Sequence, residues 1–419
     1  MRFSVVLVTL ALAACERAVG GGVPKVEPFA TRDSAGIAIA DNPKNPDAGV
    51  PVWFVDTLPS VVIGANGDPA AEFAAIGNLS MLNGGRIAVL DGRGETAFEF
   101  RIFDSTGRHL ATHGRYGEGP GEFRWVSFFG PAGGDTIVAV DFSTKRLNWL
   151  TVSRGFARSI RLDEVLFRQL LGNDATGTSE MLVPLSDSVY AIKAFRSRRA
   201  GEPFARTLTY HIVDIRANRV LDVGSLEEPR GVMSTVGGQR TMVMPIEPGW
   251  PVHVVDRARK RICVAMTSKT EIVCADDQTK RTVIRWHIDP IGFAAEDRAA
   301  TEEQLRFSLS QYRKYPNSDV DAYMSAVQWP VNWAPFSVLQ IDPDGNFWIL
   351  EKGFTAAGDR VPRFRILDPT GRHIAFANAF PARNVGHNTT TFIGSNAIVR
   401  VVEGVDGTPV VAVFKIHKQ

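Results

Sequence analysis

A twelve-residue segment occurs twice in the chain. Phe100–Ala111 reads Phe-Arg-Ile-Phe-Asp-Ser-Thr-Gly-Arg-His-Leu-Ala, and Phe364–Ala375 repeats nine of those twelve residues at an offset of 264. Each copy spells a strand, a tight turn on Asp-x-Thr-Gly and a second strand. Upstream, Gly85-Arg-Ile-Ala-Val-Leu-Asp91 matches Gly345-Asn-Phe-Trp-Ile-Leu-Glu351, a turn glycine opening an apolar strand. The repeated unit is therefore larger than a hairpin. A unit of that kind cannot bury its own apolar faces, so it must stack against copies of itself, and further copies are expected between the two.

They are present in more divergent form. Thr136–Asp141, Val189–Ala194 and Arg261–Met266 read as second strands, and Leu147–Val152, Leu208–Val213 and Thr270–Cys274 as third strands. Arg158–Leu162, Val220–Val223 and Thr282–Ile288 read as fourth strands, which gives five units beginning near residues 75, 125, 179, 251 and 336. The C-terminus supplies three more strands, and Val52–Ile63 is a spare strand at the other end. Joining the two closes a ring with no long open edge. The expected fold is all-β: a six-bladed β-propeller over residues 52–419, its last blade completed by the N-terminal strand.

In such a ring, first-to-second and third-to-fourth turns share one face, and second-to-third turns share the other with the crossovers between blades. The first set is short throughout, as in Asn83–Gly85, Ser186–Ser188 and Asp342–Gly345. The second set is long, near 164–178, 196–206, 225–249, 289–335, 352–361 and 379–389. Long loops on a rigid scaffold are where function concentrates, so the crossover face is the expected binding face. The 289–335 crossover, between blades 4 and 5, carries the expected helical insertion. Thr301-Glu-Glu-Gln304 reads as its capping box and Leu305, Leu309 and Tyr312 as its apolar stripe, packed over the channel mouth.

The extreme N-terminus has a different character. Arg2 precedes an apolar run from Phe3 to Leu12, too short to span a bilayer, followed by small Ala13 and Ala14. The tetrad Leu12-Ala13-Ala14-Cys15 resembles the lipobox of bacterial lipoproteins. That resemblance makes residues 1–15 a lipoprotein signal segment with its lipobox, and implies cleavage just before Cys15, which becomes the new N-terminus and is fatty-acylated as the membrane anchor. Residue 16 is Glu, so no inner-membrane retention signal is evident, and the expected location is the cell envelope, anchored to the outer membrane. Gly20-Gly-Gly22, Pro24, Pro28 and Asn42-Pro43-Lys44-Asn45-Pro46 make residues 16–51 an expected flexible tether. Over the whole chain 47 Lys and Arg balance 45 Asp and Glu, which gives no reason to expect nucleic acid as a partner.

Between the first two blades lies Gly114-Arg-Tyr-Gly-Glu-Gly-Pro-Gly-Glu-Phe123, with Phe123 expected to open the next inner strand. This run is similar to the crossover motif of NHL-type six-bladed propellers, and especially of a family of bacterial six-bladed propeller lipoproteins. Trp333-Ala-Pro-Phe336 through Asp344-Gly-Asn-Phe-Trp348 resembles the fifth-blade pattern of that family. The resemblance covers roughly residues 52–419 and implies a fold and a surface location, without an agreed activity.

The remaining chemistry is sparse. Cys263 and Cys274 fall opposite each other in a hairpin centred on Ser268–Lys269. A two-residue turn would make them a wide hydrogen-bonded pair, and a four-residue loop a narrow pair suited to a disulfide. A disulfide and two buried thiols both fit. Candidate crossover-face residues are His113, Glu118, Asp141 and His387, with Asp91 and Glu351 as further strand-end acids. Such acids also cap turns, and no His-x-x-x-His or Asp-x-Asn cluster accompanies them. Asp342-x-Asp344-Gly345-Asn346 lacks the later acid of a calcium loop and reads as a turn. No phosphate loop, Gly-x-Ser-x-Gly or haem motif is present, so no cofactor is expected. Two function classes remain. One is a non-enzymatic propeller binding a protein, peptide or glycan. The other is a lactonase-like hydrolase or lyase that would need a divalent metal at the channel mouth.

Overall fold

A computed structural model describes residues 29–418 except 45–48, 66, 93–97, 163–174, 197–205, 353–361, 379–390 and 405, with the side chains of 175–180 and 196 also outside the described set. The described residues form an all-β fold of propeller-like arrangement with two α-helices. Five four-stranded antiparallel sheets follow in chain order. The first joins Ile76–Met81, Ile87–Asp91, Glu99–Phe103 and His109–His113; the second joins Val126–Pro131, Thr136–Asp141, Arg146–Thr151 and Gly155–Arg161. The third joins Ala175–Pro184, Val189–Arg196, Thr207–Asp214 and Arg219–Glu227. Pro251–Asp256, Arg261–Met266, Glu271–Asp276 and Arg281–Arg285 make the fourth. Phe336–Ile341, Phe347–Glu351, Arg363–Leu367 and His373–Asn378 make the fifth. The C-terminal sheet pairs Thr391–Ile393, Ala397–Glu403 and Pro409–His417 with Val61–Ile63.

The second strands carry runs of consecutive apolar residues between polar ends, as in Ile137–Val140, because each sheet is covered on both faces. Along Thr136–Asp141, Ile137 and Ala139 pack into a cluster shared with the first sheet, while Val138 and Val140 pack into one shared with the third. Alternation therefore sorts side chains between two cores instead of between core and water. Further clusters join the third sheet to the fourth, the fourth to the fifth and the fifth to the C-terminal sheet. Another joins the C-terminal sheet to the first, where Ile63, Val399 and Val411 meet Ile76, Leu79 and Val89. Each fully buried side chain of this kind contributes about 2 kcal/mol.

Four expectations are corrected. Val52–Ile63 is not one strand. Val52–Val55 runs parallel to His373–Asn378 and touches the end of Pro409–His417, so it bridges two sheets; only Val61–Ile63 is the fourth strand of the C-terminal sheet. Pro59, which has no N–H to give the ladder, lies in the break. Residues 30–41 do not belong to a tether. Ala30–Ser34 and Ile37–Asp41 form a hairpin whose second strand pairs in parallel with Arg281–Arg285, widening the fourth sheet to six strands. The apolar alternation of Ile37 and Ile39 is short and sits among turn formers, which hid it. Asn42 then clasps the fifth sheet, donating to Gly371 O at 2.8 Å and accepting from His373 N at 2.8 Å.

The helical insertion also differs. Helix α1, Ala295–Gln311, starts before Thr301, with Asp297 Oδ2 accepting the Ala294 N–H at 2.9 Å. Leu309 is buried, but Tyr312 caps the helix C-terminus and is 80% exposed. A second helix, α2 (Asn317–Ser325), follows. Both pack on a hairpin from the preceding crossover, Val232–Val236 with Gln239–Val243, around Val243, Leu309, Val320 and Met324. The insertion's core is thus built on that hairpin, two separate crossovers folding together. Finally, Phe123 does not open the inner strand. Glu122–Phe123 pairs in parallel with Arg115–Tyr116, and the inner strand begins at Val126. Phe123 is still fully buried, edge-on to Phe100 at 5.1 Å, and Gly114 supplies a φ of 89° beside its ring.

Candidate functional site

The strand-end acids hold the scaffold together. Asp141, with no solvent exposure, accepts backbone N–H groups from Arg124 at 2.8 Å, Ser143 at 2.9 Å and Thr144 at 3.0 Å, and from Trp125 at 3.4 Å. Asp91 accepts Ala75 N at 3.0 Å and pairs with Arg101 at 3.0 Å. Thr267 plays the same part in the fourth sheet, its hydroxyl accepting Trp250 N at 2.8 Å. In each case the end of the second strand clasps the chain as it approaches the inner strand. The two sequence repeats each tie such an acid to an arginine. Arg101 of the first duplicated segment pairs with Asp91 and Arg365 of the second with Glu351, with Glu351 and Arg365 both almost fully buried. A buried carboxylate with its oxygens so occupied is a clasp, and little of it is left to hold a metal or move a proton.

The other expected residues are dispersed. The His113 ring meets Val152 O at 2.7 Å, fastening the first sheet to the second. Glu118 lies at the surface, paired with Arg124 at 2.6 Å. His387 and Cys15 lie outside the described residues. Among the described residues, no group of three or more His, Cys, Asp or Glu is arranged to hold a metal ion. Cys263 and Cys274 are joined by a disulfide inside the fourth sheet, in direct register and with Cα atoms 4.0 Å apart, in a hairpin whose loop is residues 267–270. That is the narrow pairing.

The crossover face carries a set of exposed apolar side chains that the repeat pattern did not single out. Trp125 (59% exposed) and Trp250 (46%) stand just before the inner strands of the second and fourth sheets. Phe307, Tyr312 and Val331 project from the insertion at 58%, 80% and 84% exposure. On the same face, a cleft of about 680 Å³ opens between the fourth and fifth sheets. Its walls include Thr270, Trp286, Asn332 and Trp333, and the Arg285–Glu271 pair at 2.7 Å. Two tryptophans beside hydrogen-bonding groups suit a ligand with both apolar and polar surface.

The opposite, short-turn face holds a larger cavity of about 1170 Å³ at the inner ends of the sheets. Asn83, Ala132, Leu185, Arg257, Asp342 and Asn396 reach it from successive first-to-second connections. The crossover face was expected to hold the site, so this concavity lies on the other side of the molecule.

Two further groups escaped sequence reasoning. Tyr210 is fully buried with its ring 5.7 Å from that of His253, and among the described residues its hydroxyl has no hydrogen-bond partner. Burial, aided by Lys193, pushes the His253 pKa down to about 4, and burial raises that of Tyr210. Neither residue stands in a motif, and only the packing of the third sheet on the fourth brings them together.

No protein-family model matches the chain, and no curated protein matches it. Solved structures do resemble it in fold. A putative exported protein from Bacteroides fragilis is 10% identical over 88% of this chain and 96% of its own, with a TM-score of 0.46. A member of the DUF4221 family from Bacteroides vulgatus is 9% identical over 88% and 97%, with a TM-score of 0.42. A gluconolactonase from Xanthomonas campestris is 9% identical over 86% and 99%, with a TM-score of 0.34.

Proposed function

We propose that the chain is an exported, membrane-anchored six-bladed propeller that binds a protein, peptide or glycan through its crossover face and performs no chemistry there. The observation that carries this reading is the set of exposed aromatic side chains on the crossovers, Trp125, Trp250, Phe307 and Tyr312. Exposed tryptophan and tyrosine on a rigid scaffold are strong anchors for a partner. The occupied state of Asp91, Asp141 and Glu351 supports binding over catalysis, because the acids best placed for a metal or a proton transfer already hold backbone N–H groups or a buried arginine.

The blade count rests on the four-stranded sheets and on the clusters that join each to the next and the last to the first. Membership of a family of bacterial propeller lipoproteins rests on the Gly114–Phe123 motif and on Leu12–Cys15. The Cys263–Cys274 disulfide suits an oxidising compartment outside the cytoplasm.

The test is site-specific photo-crosslinking in intact envelopes. Photoreactive residues at Trp125 and Trp250 should give partner adducts, and ones at Asn83 and Asn396 on the opposite face should not. Equal adducts from both faces would refute the assignment of the face. One tightly held divalent ion per chain after gentle purification would refute the non-enzymatic reading.

A further inference from the structure

We propose that the cavity on the short-turn face is a second binding site, separate from the crossover face, for a small amphipathic organic anion whose acidic group pairs with Arg257. Arg257 reaches into the cavity from the turn after the fourth sheet's inner strand. Its Nε donates to Pro184 O of the third sheet at 2.8 Å, and its Nη1 donates to Pro131 O of the second. Two of five N–H donors are thereby fixed, and the guanidinium is held in one orientation across three sheets.

Both partners are neutral carbonyls. Burial lowers the Arg257 pKa, and among the described residues no carboxylate is paired with its guanidinium. The acids that share the cavity are committed elsewhere. Asp256 pairs with Arg259 at 3.2 Å and Arg261 at 3.1 Å. Asp342 accepts from Asn346 N at 2.8 Å, Asn346 Nδ2 at 2.9 Å and Trp348 Nε1 at 3.0 Å. A second cation, Lys415, lines the cavity from an exposed position. His417 is paired with Asp56 at 2.8 Å.

Beside polar groups such as Ser80, Asn83 and Asn396, the wall carries an apolar patch of Met81, Leu82, Phe128, Phe129, Ile341 and Phe392, contributed by four different sheets. A volume of about 1170 Å³ accommodates a molecule of several rings or a short acyl chain. An apolar patch rewards a hydrophobic body, and a pre-oriented guanidinium with spare donors rewards a carboxylate or sulfonate. A neutral ligand of the same shape would leave that cation desolvated and unpaired, which is the basis for discrimination.

The full-length protein, dialysed to equilibrium against 2-naphthoate and separately against uncharged 2-naphthamide, tests this. Saturable naphthoate binding is expected, with naphthamide about tenfold weaker because it lacks the charge-assisted contact. Arg257→Gln should weaken naphthoate by about tenfold and leave naphthamide unchanged, while Trp125→Ser on the other face should change neither. In the unaltered protein, naphthoate should protect Arg257 from phenylglyoxal, as read by peptide mass. Equal affinity for the two probes, or no protection of Arg257, would overturn the site and leave the crossover-face reading standing.

Discussion

The fifth sheet should make the protein acid-sensitive through one histidine. His373 is 8% exposed, edge-on to the Phe376 ring at 4.4 Å, with Nε2 at 3.0 Å from Ala375 O and Nδ1 at 3.4 Å from Arg365 Nη1. That geometry suits only a neutral ring: Nε2–H donates to the carbonyl and Nδ1 accepts from the guanidinium. A proton on Nδ1 would face a cation that is itself buried against Glu351. Burial and then Arg365 accordingly push the pKa down to about 3. An imidazole in the unfolded chain titrates near 6.5, so below that pH the unfolded state binds a proton that the native state refuses. Stability is therefore unaffected above about pH 6.5 and falls steadily as the pH drops toward about 3. Between about pH 7 and about pH 5 the loss assigned to this residue is about 2 kcal/mol. Urea unfolding followed by tryptophan fluorescence, at both pH values, for the native chain and His373→Gln, isolates it. Glutamine keeps one donor and one acceptor and does not titrate, and subtracting the two pH differences cancels the carboxylates. The variant should lose about 1 kcal/mol near neutral pH from the missing ring contact, yet lose about 2 kcal/mol less on acidification. An unchanged pH dependence would refute the account.

Three other outcomes are expected. Asp141→Ala should destabilise by about 3 kcal/mol, since it strips acceptors from several buried N–H groups, whereas Glu118→Ala at the surface should stay within about 0.5 kcal/mol; thermal or urea unfolding checks both. Cys263 and Cys274 should resist alkylation in the unfolded chain until a reductant is added, as read by mass, and Cys263→Ser with Cys274→Ser should cost about 3 kcal/mol for so short a loop. Asn42→Ala removes the clasp between the N-terminal hairpin and the fifth sheet. A cost of about 2 kcal/mol should appear as faster amide exchange in Ile37–Asp41, and unchanged exchange there would show the hairpin docks without it.

The architecture was legible where a residue's role repeats. The duplicated Phe-Arg-Ile segment gave the strand–turn–strand unit, and the structure adds that its arginine is the mate of the acid ending the preceding strand, Arg101 with Asp91 and Arg365 with Glu351. Inner-strand starts fell close to their expected places because turn formers punctuate them. What failed was whatever depends on partners distant in sequence. Ile37–Asp41 is too short to declare itself a strand, and forms because the edge of Arg281–Arg285 is free to pair. Helix α2 and the Val232–Val243 hairpin come from different crossovers and bury their apolar residues in one shared cluster with α1. The candidate sites were still less legible. Arg257 sits in Asp-Arg-Ala-Arg-Lys, a turn that reads as solvated, and only ring geometry turns one of its three cations inward. Trp125 and Trp250 precede inner strands, where a large apolar residue reads as core.

The N-terminal hairpin also alters what an anchor at Cys15 would do. With a tether running to residue 51, a lipid on Cys15 would leave the propeller about 120 Å of reach at full extension, enough to present any face. Pairing of Ile37–Asp41 with the fourth sheet fixes the chain to the scaffold from Ala30 onward, and the residues between Cys15 and Ala30 could span at most about 50 Å. The attachment point moves as well, from the join of the fifth and C-terminal sheets to the outer edge of the fourth. That edge adjoins Arg281–Arg285, from which the crossover carrying α1 and α2 departs, and lies beside the cleft lined by Trp286 and Trp333. An anchor at Cys15 would thus limit how far the fourth sheet and the crossovers beside it can stand from the membrane to about 50 Å. Such a placement favours a partner that is itself in or on the same membrane, and it leaves the cavity around Arg257 open on the opposite face for a diffusible small molecule.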